Sequence, residues 1–303
     1  MNIFSKVSQS IVAFAPLYVS SEEDSDGPPY FPPIIGTGFA VGEGLFVTNA
    51  HVVEEWEKVW VPRDHPKNEY GVTAMYFIRT EKGCAVVDLK VLKAIRPKKY
   101  VSYDKDYYGP EDLDLSLVQV AVRGIPPLSL DLQNETIIEI GTEVGTIGFP
   151  LGEELHTAFK DRAVMMPIAQ KGIVSAVSPI PCQFPNGFII NIMSQGGASG
   201  SPVFCLTDGS VIGIIDSREF EPVEGLIVDE EKQQNVRLLL PTSTNFSFAI
   251  PAHFIQKFLD ASLPSPPLPD YALDIRNMKF KPMTLDLRKD SPFKWGATVK
   301  DNE

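Results

Sequence analysis

At 303 residues the chain is long enough for one large domain or two small ones with ample core. Its 44% hydrophobic and 22% charged residues are those of an ordinary soluble globular protein, and no run reaches the roughly 18 apolar residues of a membrane span, so no membrane partner is expected. A net charge of −12 argues against nucleic acid, because a phosphate-binding surface needs an excess of Lys and Arg.

Residues 11–19 are apolar and read either as a first strand or as the core of a signal peptide. A single Lys6 precedes them and Ser8-Gln9-Ser10 break the run, so a strand is expected. An acidic, Pro-rich loop covers 20–33. Next, Gly36-Thr37-Gly38-Phe39-Ala40-Val41 and Leu45-Phe46-Val47-Thr48-Asn49-Ala50-His51-Val52-Val53 flank the turn Gly42-Glu43-Gly44, which predicts a β-hairpin with His51 at the end of its second strand. Strands are expected over 72–78 and 85–95, then a loop over 97–110 with four tyrosines. Asp114 opens a strand of buried type, Leu115-Ser116-Leu117-Val118-Gln119-Val120. Asp112 shares its face by alternation and competes with it, but the apolar continuation fits Asp114 better.

Further strands are expected over 144–147, 188–192 and 211–215, with long loops over 153–166 and 217–245, the second of them acidic. The segment Gly196-Gly197-Ala198-Ser199-Gly200-Ser201-Pro202-Val203 holds a serine between glycines just before an apolar run. Helical periodicity appears only at 252–261, behind Pro251. A Pro-rich linker, 263–269, and a tail carrying Phe280, Phe293 and Trp295 close the chain. Many short strands and one late helix predict an all-β barrel pair. Cys84, Cys182 and Cys205 are too few for a disulfide framework and lack metal-ligand spacing, so buried thiols, no metal site and a cytoplasmic location are expected.

His51, Asp114 and Ser199 follow one another in that order, 63 and 85 residues apart. Among the unrelated folds that carry a Ser-His-Asp triad, this order belongs to the chymotrypsin type. Thr48-Asn49-Ala50-His51-Val52-Val53, Asp114-Leu115-Ser116-Leu117 and Gly197-Ala198-Ser199-Gly200-Ser201-Pro202 resemble the three signatures of chymotrypsin-like serine proteases. Gly141-Thr142-Glu143-Val144-Gly145-Thr146-Ile147-Gly148-Phe149-Pro150-Leu151-Gly152, Gly172-Ile173-Val174-Ser175-Ala176 and Phe248-Ala249-Ile250-Pro251 are similar to the bacterial-style branch that includes the HtrA/Deg proteases. The likeness runs from about Ile34 to Leu259.

The resemblance implies two six-stranded antiparallel barrels: residues 1–130 with His51 and Asp114, and 131–262 with Ser199 and the helix. It places a crossover near 130–135 and leaves 263–303 as linker and tail, too short for the PDZ domain HtrA enzymes carry there. It also implies a serine endopeptidase acting through an acyl-enzyme on protein or peptide substrates, without cofactor. Ser199 would be the nucleophile, His51 its base and Asp114 the orienting carboxylate, with the N–H groups of Gly197 and Ser199 as oxyanion hole. By register Met193, Ser217 and Ser247 would line the pocket for the side chain before the scissile bond, a pocket without an acidic floor that suits a small or medium apolar group. Asp216 and Glu219 lie near enough to alter it. Ala198 cannot pair with a freed N-terminus, so control would come through loops, tail or a regulatory partner protein. The alternative is a catalytically silent protease-fold peptide-binding or scaffold protein.

Overall fold

The computed structural model describes residues 2–17, 33–80, 83–96, 113–131, 138–152, 166–178, 185–229, 234–262 and 267–278. Nearly all of the loop expected over 20–33, the whole of 97–110 and most of 153–166 lie outside them, as do Asp112, Cys182 and the tail aromatics Phe280, Phe293 and Trp295. Among the described residues no helix is long and apolar enough to cross a membrane.

Two closed, six-stranded antiparallel barrels form the protein, the all-β architecture expected. The first consists of β1 (Ile11–Pro16), β2 (Gly36–Gly42), β3 (Leu45–Thr48), β4 (Val72–Thr80), β5 (Gly83–Ile95) and β6 (Ser116–Val120). Its strand order is β1-β2-β3-β6-β5-β4, and β1 closes it by pairing with both β2 and β4. A two-residue strand, β7 (Val122–Arg123), follows. The second barrel contains β8 (Glu143–Gly148), β9 (Ile168–Ser178), β10 (Gly187–Ile190), β11 (Pro202–Cys205), β12 (Val211–Asp229) and β13 (Gln234–Pro251), ordered β10-β13-β12-β11-β8-β9. Closure pairs both edges of each sheet where the strands run in the barrel wall.

Strand β1 shows why its sequence is apolar throughout. Val12 and Phe14 belong to the core of the first barrel, with Phe46, Leu89 and Val118. Ile11, Ala13 and Ala15 join a separate cluster between the barrels, with Phe39, Leu117, Ile147, Phe149, Phe204 and Ile214. Both faces of the strand are therefore dry, and the usual inward–outward alternation disappears. Val144, Val174, Phe188, Ile190 and Val203 fill the second barrel.

Three features depart from the expectations. An N-terminal helix, α1 (Ile3–Val7), is capped by the Asn2 side chain, which accepts from Phe4 N–H at 2.9 Å. It sets the Phe4 ring edge-on to Phe204 of the second barrel. The acidic stretch 217–245 is a hairpin rather than a loop, because β12 and β13 pair without a break in chain direction from Gly213↔Pro251 out to Asp229↔Gln234. At about 3.3 Å per residue, the ten residues from Phe220 to Asp229 make an arm roughly 30 Å long. The β-forming runs Leu226-Ile227-Val228 and Val236-Arg237-Leu238-Leu239-Leu240 explain it, despite the acids that flank them.

The third departure is at the C-terminal end. Helix α3 (Ala252–Ala261) occupies the expected position and buries Phe254 and Ile255 between the barrels. The chain then returns to the first barrel, where β14 (Leu273–Asp274) pairs in parallel with β7. The Arg123 guanidinium donates to the carbonyls of Leu268, Pro269 and Ala272 at 3.1–3.2 Å. Residues 267–278 are thus a strap on the protein's own first barrel. Leu130, in the expected crossover, already bridges to Val211 of the second barrel.

Candidate active site

His51 is the second residue of a six-residue helix, α2 (Ala50–Glu55), not the end of β3, which stops at Thr48. The turn into the helix is fixed by Asn49, whose side-chain amide donates to the Asp114 carbonyl at 2.9 Å. Asp114 lies two residues before β6, between the buried Leu113 and Leu115. Leu115 N–H donates back to the Leu113 carbonyl at 2.8 Å, a three-residue turn that presents the intervening carboxylate outward. That carboxylate takes His51 at two points: Nδ1 lies 2.6 Å from Oδ2, and the His51 backbone N–H donates to Oδ1 at 2.9 Å. The arrangement leaves Nε2 of the imidazole as the free ring nitrogen for proton transfer.

Ser199 comes from the other barrel, in the turn before β11. Gly197 and Gly200 flank it with φ of +87° and +86°, a backbone region that side chains disfavour. A Cβ at Gly197 would meet the Phe149 carbonyl at 2.3 Å, and one at Gly200 the Thr37 carbonyl at 2.0 Å. Among the described residues, the N–H groups of Gly197 and Ser199 donate to no protein acceptor, whereas Ala198 and Gly200 donate to the Gln195 and Ile215 carbonyls. Two unengaged donors, one residue apart in a turn that carries a serine hydroxyl, are what an oxyanion requires.

Thr37 joins the halves. It is fully buried on β2 of the first barrel, yet three of its contacts reach the second. Its N–H donates to the Ser199 carbonyl at 2.8 Å, and its hydroxyl donates to the Gly197 carbonyl at 2.7 Å. The same hydroxyl accepts from Phe149 N–H at 3.2 Å. Thr48 in turn donates to the Thr37 carbonyl at 2.7 Å.

Ser199 Oγ donates weakly to the Asp216 carbonyl at 3.5 Å; among the described residues it makes no hydrogen bond to His51. The Asp216 side chain meets the other pair, and one polar side-chain atom from each of His51, Asp114 and Asp216 lies within 4.8 Å of the other two. Burial pulls the His51 pKa down, but its hydrogen bond to Asp114 and the negative charges of Asp114, Asp216 and Glu54 leave it raised overall. Burial pushes Asp114 up, yet its contacts with His51 and Asp216 leave it lowered. Asp216 is driven up to about 7, first by burial and then by the Asp114 carboxylate against it.

The residues expected to line the specificity pocket fare differently. Met193 is exposed and accepts a contact from Gln195 Nε2 at 3.2 Å. Ser247 is fully buried; its hydroxyl lies 2.6 Å from the Ile192 carbonyl, 2.8 Å from Ser194 Oγ and 3.1 Å from Ser194 N, so it braces the 192–194 segment. The side chain of Ser217 lies outside those described. Sequence reasoning did not single out Ser194 or Thr37 and treated Asp216 only as a neighbour of the pocket. An acid closing the apolar run Val211–Ile215 was the one available signal for Asp216.

A family profile described as a trypsin-like peptidase domain matches residues 36–214, from β2 through Ser199 and into β12. The chain belongs to the trypsin-like peptidase family. Among solved structures, the Rv3671c protease from M. tuberculosis H37Rv is similar to this trypsin-like peptidase. A serine-to-alanine mutant of it in its inactive form has a TM-score of 0.45 and 17% identity, over 87% of this chain and 93% of that one. The HtrA-type protease AlgW, bound to a decapeptide, has a TM-score of 0.48 and 14% identity, over 86% of this chain and 66% of that one. No curated protein sequence matches. The matched span of this trypsin-like peptidase contains His51, Asp114 and Ser199, but ends two residues short of Asp216.

Proposed function

We propose that this trypsin-like peptidase is a serine endopeptidase that cleaves protein or peptide substrates through a Ser199–His51–Asp114 triad. Ser199 Oγ attacks the scissile carbonyl while His51 Nε2 takes its proton, and the carbonyl π electrons move onto oxygen. The oxyanion is met by the N–H groups of Gly197 and Ser199; each such donor is worth about 2.7–4 kcal/mol in the transition state. The imidazolium then protonates the leaving amine as the C–N bond breaks, and water repeats the sequence to release the acid. Asp114 holds the tautomer with Nδ1 protonated and stabilises the imidazolium.

The observation that carries this reading is the two-point grip of Asp114 on His51 beside a serine turn with two unengaged N–H groups. For chemistry, Ser199 Oγ must leave the Asp216 carbonyl and come within hydrogen-bond reach of Nε2. Ser194 and Ser247, hydrogen-bonded to each other behind the 192–194 segment, carry no charge, which fits a small or medium apolar side chain before the scissile bond. A regulatory partner would act through the 217–245 hairpin or the tail.

The serine–histidine separation favours a second reading, a catalytically silent peptide-binding or scaffold protein. Labelling of the purified chain with a fluorophosphonate, with Ser199→Ala as control, decides between them. Stoichiometric labelling that disappears in the variant supports the endopeptidase. A folded wild-type chain that stays unlabelled supports the silent protein.

A further inference from the structure

Two carboxyl groups in contact require a proton between them, because a pair of bare carboxylates repels. An oxygen of Asp114 and one of Asp216 lie within 4.8 Å of each other, and a hydrogen bond between the two carboxyls is among the influences on both. The Asp114 oxygens are already committed to acceptance from His51 Nδ1 and N–H. The partner that can supply a proton is Asp216. It stands at the barrel junction, at the end of the buried run Val211–Ile215 and half-buried itself, and its own carbonyl faces the Ser199 hydroxyl.

We propose that Asp216 is a positioning residue of the catalytic centre, its carboxyl held as the neutral acid and donating a hydrogen bond to the Asp114 carboxylate so that this carboxylate stays fixed on His51. The inference rests on the triad reading above. It gives the site a fourth member drawn from the second barrel, so that Asp114, in the first, is held from both sides of the junction.

Charge makes the arrangement conditional. Among the described residues, the groups facing Asp216 are Asp114, which favours its protonated form, and His51, which favours its ionised form. Glu54, one turn along α2 from His51, adds its field to the imidazole. Burial drives the Asp216 pKa up to about 7, so the acid persists to near neutrality. When it ionises, the donor is lost and a second negative charge bears on His51, which then holds its own proton more tightly.

The test uses Asp216→Asn and Asp216→Leu in the full chain, with chelator present so that only a proton can join the carboxyls. An asparagine amide still donates to Asp114 but cannot ionise; leucine can do neither. Two readouts are taken: the His51 ring titration by NMR, which needs no catalysis, and the pH profile of fluorophosphonate labelling. The expected result is a His51 titration in Asp216→Asn that follows wild type in acid solution and parts from it only as wild-type Asp216 ionises near pH 7, where the added charge makes the wild-type imidazole hold its proton more tightly. Labelling by Asp216→Asn should stay within roughly threefold of wild type at its optimum, while Asp216→Leu falls tenfold or more. A His51 titration in Asp216→Asn displaced downward already in acid solution, which would mean that Asp216 is ionised there, overturns the proposal, as does equal loss of labelling in both variants. If Asp216→Leu does not fold, the asparagine titration alone decides. If wild type never labels, the endopeptidase reading fails while the His51 titration still reports on the Asp216 contact.

Discussion

Thr37→Val is the substitution whose cost follows most directly from the structure. Valine keeps the shape and β preference of threonine and leaves the backbone bond from residue 37 to the Ser199 carbonyl in place. It removes one hydroxyl, fully buried, that satisfies the Gly197 carbonyl at 2.7 Å and the Phe149 N–H at 3.2 Å. Each of those backbone groups would be left buried and unpaired, a penalty of about 1–3 kcal/mol apiece. Allowing the turn to relax, the loss should be about 2–4 kcal/mol, several degrees or more in Tm for a chain of this size.

The same bond fixes the peptide plane beside the Gly197 N–H, so labelling by fluorophosphonate should slow by roughly ten- to a hundredfold. Urea unfolding, read as a change of midpoint at constant slope, measures the first effect. Thr37→Ser, which retains the hydroxyl, should recover most of both. A valine variant within about 0.5 kcal/mol of wild type would refute the reasoning, because it would mean that water or a shifted backbone satisfies both groups.

Gly197→Ala should abolish labelling, because its Cβ would stand 2.3 Å from the Phe149 carbonyl at a φ of +87°; near wild-type rates would show that the turn is not the oxyanion site. Stability should vary with pH in opposite senses on the two carboxyls. Asp216, with its folded pKa raised from 3.8 to about 7, contributes stability at low pH that is lost as the pH rises towards and through 7. Asp114, with its folded pKa lowered, contributes stability above its ordinary range that is lost as the pH falls through the folded value. Urea midpoints from pH 3 to 9 should therefore peak in acidic solution and fall from about pH 4 to 7, and Asp216→Asn should flatten that decline. Arg123→Ala removes the donor to three carbonyls of the C-terminal strap, so limited proteolysis should cut 263–278 several-fold faster while the barrels stay folded.

What the sequence made legible was local. The hairpin around Gly42-Glu43-Gly44 is announced by its glycines, the helix Ala252–Ala261 by its periodicity behind Pro251, and β1 by an apolar run preceded by a single lysine and the break Ser8-Gln9-Ser10. His51, Asp114 and Ser199 stood out through motifs of a few residues each. The hairpin arm of β12 and β13 was hidden because acids and two prolines, Pro222 and Pro241, interrupt its apolar runs, whereas its pairing depends on a strand that begins after residue 229. Thr37 could not be found by pattern: its hydroxyl acts on Gly197, 160 residues away, and a threonine in a strand asks for no explanation. Asp216 meets Asp114 from the opposite barrel, so only the closed junction reveals that two acids share one place.

The long-range contacts have a common logic. The base and its carboxylate come from one barrel and the serine turn from the other, so the distance across the reacting atoms is no more certain than the junction between the barrels. Apolar packing alone would fill that junction without fixing its register, because dispersion and burial are weakly directional. Hydrogen bonds are directional, and the buried ones at this junction converge on the site: the Thr37 hydroxyl to the Gly197 carbonyl, Phe149 N–H to the Thr37 hydroxyl and Thr37 N–H to the Ser199 carbonyl. Both ends of the described chain also cross the junction. Helix α1 packs on the second barrel before β1 enters the first, and the strap returns to the first after α3 has packed between the two. A substitution that loosens either crossing without touching the site should slow labelling more than it lowers stability, because small rotations between barrels cost little packing but break the alignment of hydroxyl and imidazole.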